Sequence, residues 1–311
     1  MKKYLALILA LSLTGLTACA PKEAAQGDKV EEKDTAFTIN YLGEEYSFDK
    51  KVENIVLASL EGMEDAAALG IDAVGVLEIA GEVPKYLADD FKDAALIGDK
   101  KSPNFEAILN VNPDLIVGTS KFPDETKAQL NKIAVTLPYS HISSNWKENL
   151  LALGEVTDKL DEANKLVSDY EEKVASAKEG FSSEYENVLV IRIRQGLMNI
   201  YPANVYLNPV LYEDLGFKVP EIVTKAEAQA EITLETLAEV NPDAIFLQFE
   251  GSENTDAPEA LNELLENPIF KGTKASSNDK VFVNTIDPLA QGGTDWSKIR
   301  FLDAVVENLS E

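Results

Sequence analysis

The stretch Phe105-Glu106-Ala107-Ile108-Leu109-Asn110-Val111-Asn112-Pro113-Asp114-Leu115-Ile116-Val117 has an echo further along the chain. Leu234-Glu235-Thr236-Leu237-Ala238-Glu239-Val240-Asn241-Pro242-Asp243-Ala244-Ile245-Phe246 carries Glu, Val, Asn, Pro, Asp and Ile at the same places. Each copy reads as a short helix stopped at Asn-Pro, because proline disfavours the helical conformation in the residue before it. A continuous apolar run follows, of the length a buried strand needs. Leu-Gly before an apolar residue also occurs twice after a helix-like segment, as Leu69-Gly70-Ile71 and Leu215-Gly216-Phe217. A helix–stop–strand unit repeated in matching context predicts two related lobes.

Around the first copy, short apolar runs alternate with helix-like segments. Asn54–Ala58, Ala73–Leu77, Ala94–Ile97, Leu115–Gly118 and Val135–Leu137 read as strands. Gly62–Leu69, Val83–Asp90, Phe105–Val111 and Glu125–Ile133 read as the helices between them. That rhythm predicts an α/β lobe with a largely parallel sheet. Phe37, Ile39 and Tyr41, then Tyr46 and Phe48, alternate around Leu42-Gly43-Glu44 and predict an opening hairpin. Trp146–Leu160 and Asp161–Gly180 then read as two helices with no strand between. In the second, Ala163, Leu166, Val167, Tyr170, Val174 and Ala177 keep helical spacing, and Gly180 suits its end. The connection between lobes falls there. Around the second copy, Asn187–Ile193, Ala244–Phe249 and Lys280–Asn284 read as strands. Leu207–Leu215, Leu234–Val240, Pro258–Leu265 and Ser297–Leu309 read as helices.

The amino terminus has its own logic. Lys2 and Lys3 precede an apolar stretch, Tyr4–Leu16, that is too short to remain in a bilayer as a spanning helix. It ends in Leu16-Thr17-Ala18-Cys19, which resembles the lipobox of bacterial lipoproteins. The resemblance implies a cleaved signal (residues 1–18), diacylglyceryl on the thiol of Cys19, and anchoring at the outer face of a membrane. Each buried CH₂ contributes roughly 0.8 kcal/mol, so two chains hold far better than one. Residues 19–35 are polar and charged, a tether rather than a fold.

The whole chain has 28 Lys+Arg against 54 Asp+Glu, a formal charge of −26. So acidic a surface disfavours nucleic acid and anionic lipid as partners. The one cysteine is the lipobox residue, which leaves none for disulfides or structural zinc. One histidine, His141, argues against a multi-histidine metal site, and no resident cofactor is expected. Gly-x-Ser-x-Gly, His-Glu-x-x-His and phosphate-loop motifs are all missing, so a secreted hydrolase is the weaker reading and no enzyme is expected.

With the Asn-Pro-Asp strands, Trp146 and the long helix in view, the chain resembles the substrate-binding lipoproteins of ABC importers for iron–siderophores, haem and cobalamin. The resemblance implies two Rossmann-like lobes joined by a single long helix, with the ligand in the cleft between lobes. The implied division is an N-terminal lobe over 36–158, the connecting helix over 159–182 and a C-terminal lobe over 183–311. Ile191-Arg192-Ile193-Arg194 followed by Asn199-Ile200-Tyr201 is most similar to Gram-positive siderophore binders. It implies a hydroxamate- or citrate-type ferric siderophore delivered by a monomer to a membrane permease dimer. Haem, with Tyr201, Met63, Met198 or His141 as axial ligand, is the alternative, and cobalamin a weaker third.

Three arginines exist in the chain, and two of them, Arg192 and Arg194, stand at i and i+2 on a strand and so share a face. Guanidinium donors match carboxylate and hydroxamate oxygens. Exposed or salt-bridged arginines on an edge strand are the competing reading, and the family resemblance favours ligand contact. Tyr201 is placed to join them. Trp296 and Arg300, one helical turn apart, are further candidates. So are Lys85 and Lys121, beside aromatics in loops at strand carboxyl ends, where open α/β sheets bind ligands. The resemblance also implies one permease-docking carboxylate per lobe, and the matching positions are Glu64 and Glu213, with Asp214 a neighbour of the latter.

Overall fold

The computed structural model of the protein describes residues 36–178 and 185–310. The expected export signal and tether, with Cys19, and Gly180 lie outside the described residues. The opening hairpin is present: β1 (Phe37–Tyr41) pairs antiparallel with β2 (Glu44–Phe48). Then come β3 (Ile55–Leu57), α1 (Leu60–Leu69), β4 (Gly75–Glu78), a 3₁₀ turn (Lys85–Leu87), β5 (Ala95–Asp99) and β6 (Ser102–Pro103). They are followed by α2 (Phe105–Asn110), β7 (Leu115–Thr119), α3 (Asp124–Leu130) and β8 (Val135–Tyr139). The sheet order is β6-β5-β4-β3-β7-β8, parallel except for the short β5–β6 pair. One expected helix contracts. Over Val83–Asp90 the chain makes a single 3₁₀ turn, because Tyr86 is drawn onto Glu64 (2.7 Å) and the ring of Trp296 (4.9 Å).

α4 (Trp146–Val156) packs on the first lobe, and α5 (Leu160–Lys178) is the long helix expected between lobes. They cross closely at Gly154, where a Cβ would sit 2.6 Å from that of Ala163. Trp146 is core, as its place at a helix start suggests: it meets Tyr170 edge-on at 5.1 Å.

The second lobe comprises β9 (Val188–Arg194), β10 (Leu197–Ile200), α6 (Glu221–Lys225), β11 (Ala230–Ile232), α7 (Leu234–Val240) and β12 (Ala244–Phe249). It ends with α8 (Ala260–Glu266), α9 (Pro268–Lys271), α10 (Lys274–Ser277), β13 (Val281–Val283) and α11 (Asp295–Leu309). Its order is β11-β10-β9-β12-β13. β9, β12 and β13 are parallel, while β10 and β11 run antiparallel and were not anticipated. The helix expected over Leu207–Leu215 is one wide turn, Val210–Asp214, closed by Leu215 N donating to Val210 O (3.0 Å).

The sequence echo is a structural one. Asn112 and Asn241 both turn the chain at φ 47°, a left-handed conformation that Asn tolerates well. Asp114 Oδ2 accepts from the amides of Glu53 (3.0 Å) and Asn54 (2.9 Å), just before β3. Asp243 Oδ2 accepts from the amides of Glu186 (2.8 Å) and Asn187 (2.9 Å), just before β9. Each carboxylate also pairs with a lysine, Lys50 or Lys274. Burial would raise both carboxyls, but the lysine and backbone donors outweigh it and hold them below the usual range.

Candidate ligand-binding cleft

The lobes meet along a cleft of about 680 Å³, within the range of small-molecule sites. Its cations come from both sides. On the second lobe, β9 runs past its apolar stretch to Arg192 and Arg194, then reverses at Gln195-Gly196, where both residues have positive φ (52° and 76°). This two-residue turn favours the strand twist of a hairpin, and it sets both guanidinium groups on the cleft wall. Tyr201, at the end of β10, bonds Gln229 (3.2 Å) and packs on Tyr206 at 5.1 Å. Arg192 lies over the Tyr206 ring at 5.2 Å. Gly292 supports Tyr206 from behind: a Cβ there would stand 2.4 Å from the Tyr206 carbonyl, so this position requires glycine.

On the first lobe, Lys121 follows β7 and lines the cleft, with Phe122 buried beneath. Ser120 Oγ and His141 Nδ1 lie 2.8 Å apart beside it. Lys100 and Lys101 also line the cleft, on the tight β5–β6 turn. Asp99 Oδ1 holds that turn by accepting from the amides of Lys101 (2.7 Å) and Ser102 (3.1 Å). Against these cations stand Glu61, Glu227 and Glu253.

The arginines are both salt-bridged and cleft-lining, so the two readings of the sequence merge. Arg192 forks onto Glu253 Oε2 through Nε (2.9 Å) and Nη2 (2.8 Å), and Arg194 Nη2 reaches Oε1 at 3.2 Å. Arg194 Nη1 also donates to Gln229 (2.7 Å). Lys100, Lys101, Glu253, Tyr206 and Gln229 were missed by sequence reasoning. The rule that singled out Lys121, a loop at a strand's carboxyl end, would have found Lys100. Nothing local marks Glu253.

Other expected residues sit elsewhere. Lys85, Trp296 and Arg300 do not line the cleft. Arg300 stacks on Trp296 at 3.8 Å and donates to its carbonyl (2.9 Å), and the half-buried Trp296 ring packs in turn on Tyr86. Lys85 is exposed on the 3₁₀ turn. Of the residues considered as axial ligands, Met63 is sealed in the core.

Glu64 is the clearest correction. It is 0 % exposed, so it cannot meet a permease arginine in this structure. Instead it ties α1 to the second lobe, accepting from Tyr86 Oη (2.7 Å), Gln291 N (2.9 Å), Thr294 Oγ1 (2.5 Å) and Ser297 Oγ. Burial pushes its carboxyl up to about 7 even against these four donors. Asp65 and Asp295 are buried beside it, and burial raises both, Asp295 to about 6. Glu213 is exposed, whereas its neighbour Asp214 is committed to Tyr170 and Lys298, each at 2.6 Å.

Two α/β lobes, a helical connection and a cationic cleft between them are the architecture of a two-lobed binding protein. The chain belongs to the periplasmic binding protein family, whose model matches residues 55–286. It is 43% identical over 98% of its length to the iron-uptake system-binding protein of Bacillus subtilis (strain 168), covering 97% of that protein. A Bacillus subtilis structure, the triscatecholate siderophore-binding protein FeuA complexed with ferri-bacillibactin, superposes with a TM-score of 0.84 at 44% identity, covering 88% of this chain and 98% of that one. The fold is shared more widely: SirA of Staphylococcus aureus matches with a TM-score of 0.76 at 24% identity, over 88% of this chain and 98% of that one.

Proposed function

We propose that this protein captures a ferric siderophore of the triscatecholate type outside the membrane and delivers it to an ABC permease for iron uptake. The observation that carries the reading is the cleft itself. Five cations, Lys100, Lys101, Lys121, Arg192 and Arg194, line from both lobes a cavity that Tyr201 and Phe122 also line. Three catecholates around iron(III) make a compact trianion with aromatic edges, which suits cations set among rings. The 44% identical relative that holds ferri-bacillibactin supports this class over the hydroxamate or citrate type expected from the sequence. Haem is the alternative reading: Met63 is core, but Tyr201 and His141 line the cleft, and the paired guanidinium groups favour the more highly charged chelate. The lipobox resemblance of Cys19 supports a lipid anchor on a Gram-positive cell; a relative 27% identical is named a probable siderophore-binding lipoprotein. Glu213, exposed beside the committed Asp214, stays as a permease-docking candidate for the second lobe.

Tryptophan fluorescence titration with ferric triscatecholate, trihydroxamate and citrate-type chelates, haem and cobalamin tests the ligand. Saturable quenching by the triscatecholate at sub-micromolar concentration, about −8.2 kcal/mol or tighter, is expected. A flat response to it would sink the reading. In cells, Glu213→Ala should leave binding intact and slow uptake.

A further inference from the structure

One carboxylate in the cleft has an unusual set of partners. Glu253 Oε2 takes both donors of the Arg192 fork, at 2.9 and 2.8 Å. Its Oε1 takes Arg194 Nη2 at 3.2 Å and, from the other lobe, Lys100 Nζ at 3.5 Å. The three cations hold this carboxyl below its usual range although burial acts to raise it. It is therefore an ionised group fixed among the positive charges proposed to grip the ligand.

Its backbone is fixed too. Glu253 O accepts from Gln195 N (3.0 Å), and Glu253 N donates to Glu250 O (3.1 Å). The next residue, Asn254, donates through Nδ2 to Ile193 O (3.0 Å) and Glu250 O (2.8 Å) and accepts from Gly196 N (2.9 Å). The loop is stitched to the same hairpin that carries the arginines, so the carboxylate moves with them.

Neutralising a buried arginine would account for the Arg192 contact alone. It does not account for Arg194 and Lys100, whose side chains are 30% and 38% exposed and have water available. Both nevertheless converge on the same oxygen. Glu253, Lys100, Lys101, Arg194 and Gln229 also form the wall shared by the main cleft and an adjoining cavity of about 690 Å³. The carboxylate thus faces the ligand space while drawing on cations that the ligand would use.

We propose that Glu253 is the charge-setting residue of the cleft, a built-in counter-anion that holds down the grip of Lys100, Arg192 and Arg194 on a multiply charged ferric chelate. This rests on the reading of the protein as a ferric-siderophore binder. Repulsion from a fixed negative charge grows in proportion to the charge of the ligand. Glu253 therefore weakens a trianionic chelate and leaves a neutral one almost untouched. A carrier that must pass its cargo on gains from such a brake, because release slows as affinity rises.

The test compares the full chain with Glu253→Gln and Glu253→Asp, using two probes: the iron(III) complex of a hexadentate triscatecholate, a trianion, and that of a trihydroxamate, which is neutral. Glu253→Gln should tighten the triscatecholate by about tenfold or more, mainly through slower dissociation. Its salt dependence should steepen, and the trihydroxamate should stay within about twofold. Glu253→Asp keeps the charge with a shorter reach and should raise triscatecholate affinity less than Glu253→Gln does. Glu253→Ser supplies the same comparison should the Gln variant fail to fold. Equal changes for both probes, or weaker triscatecholate binding in Glu253→Gln, would overturn the inference. Failure of the parent chain to bind the triscatecholate would instead overturn the function it rests on.

Discussion

The two lobes begin alike and part at one point. β3 and β9 are each primed by an aspartate from the echoed Asn-Pro-Asp, and each lies parallel to the strand that follows that motif, β7 or β12. Beyond that, β3 ends at Leu57 and the chain enters α1 two residues later, at Ser59, whose Oγ caps the helix by accepting from Gly62 N (3.0 Å). β9 instead runs on to Arg194 and folds back as β10. A helix entry leaves the first lobe with cations on separate loops, Lys100 and Lys121. A hairpin gives the second lobe two guanidinium groups on one rigid face. The repeat supplies the scaffold, and the departure from the repeat supplies the ligand seat.

The largest test of that contrast removes the hairpin's charges. Arg192→Ala combined with Arg194→Ala should weaken ferric triscatecholate binding by well over tenfold, more than about 1.4 kcal/mol. Lys121→Ala should cost less, about threefold, because a solvated lysine is a single mobile charge. Comparable losses in titration would erase the distinction between the lobes.

The shared half of the comparison is tested by Asp114→Asn and Asp243→Asn. Asparagine keeps an acceptor and loses the charge, so each should cost about 1 kcal/mol in urea unfolding. Unequal costs would mean that the echo is a likeness of sequence more than of energetics.

Where the lobes join, the carboxyls of Glu64 and Asp295 are raised from 4.5 to about 7 and from 3.8 to about 6. Between those limits the folded protein binds protons that the unfolded chain has released. Stability therefore rises as pH falls through that window and is lost as pH climbs above it. Thermal unfolding should show a midpoint about 2 °C or more higher at pH 5.5 than at pH 8. Glu64→Gln should flatten that dependence; a profile unchanged by the substitution would remove Glu64 as its source.

The smallest effect is expected away from the cleft. Lys85→Ala and Arg300→Ala should leave chelate affinity within about twofold, or ~0.4 kcal/mol. A larger loss would bring the Trp296–Arg300 face back into the site.

What the amino-acid sequence determined by itself was local. Proline after Asn112 and Asn241 stops two helices, apolar runs without interruption become buried strands, and two positions apart on β9 puts both arginines on one face. Each depends on residues within a few positions of one another, so one-dimensional spacing carries it. Tertiary structure decided the rest. Glu253 meets Arg192 across 61 positions of chain and Lys100 across 153, and Glu64 meets Gln291 across 227. Among 54 acidic residues no spacing distinguishes Glu253 as a carboxylate inside the cleft, or Glu64 as one sealed between lobes. Long-range packing chooses which carboxylates lose their water and what surrounds them: burial raises Glu64, whereas three cations keep Glu253 ionised against the same loss.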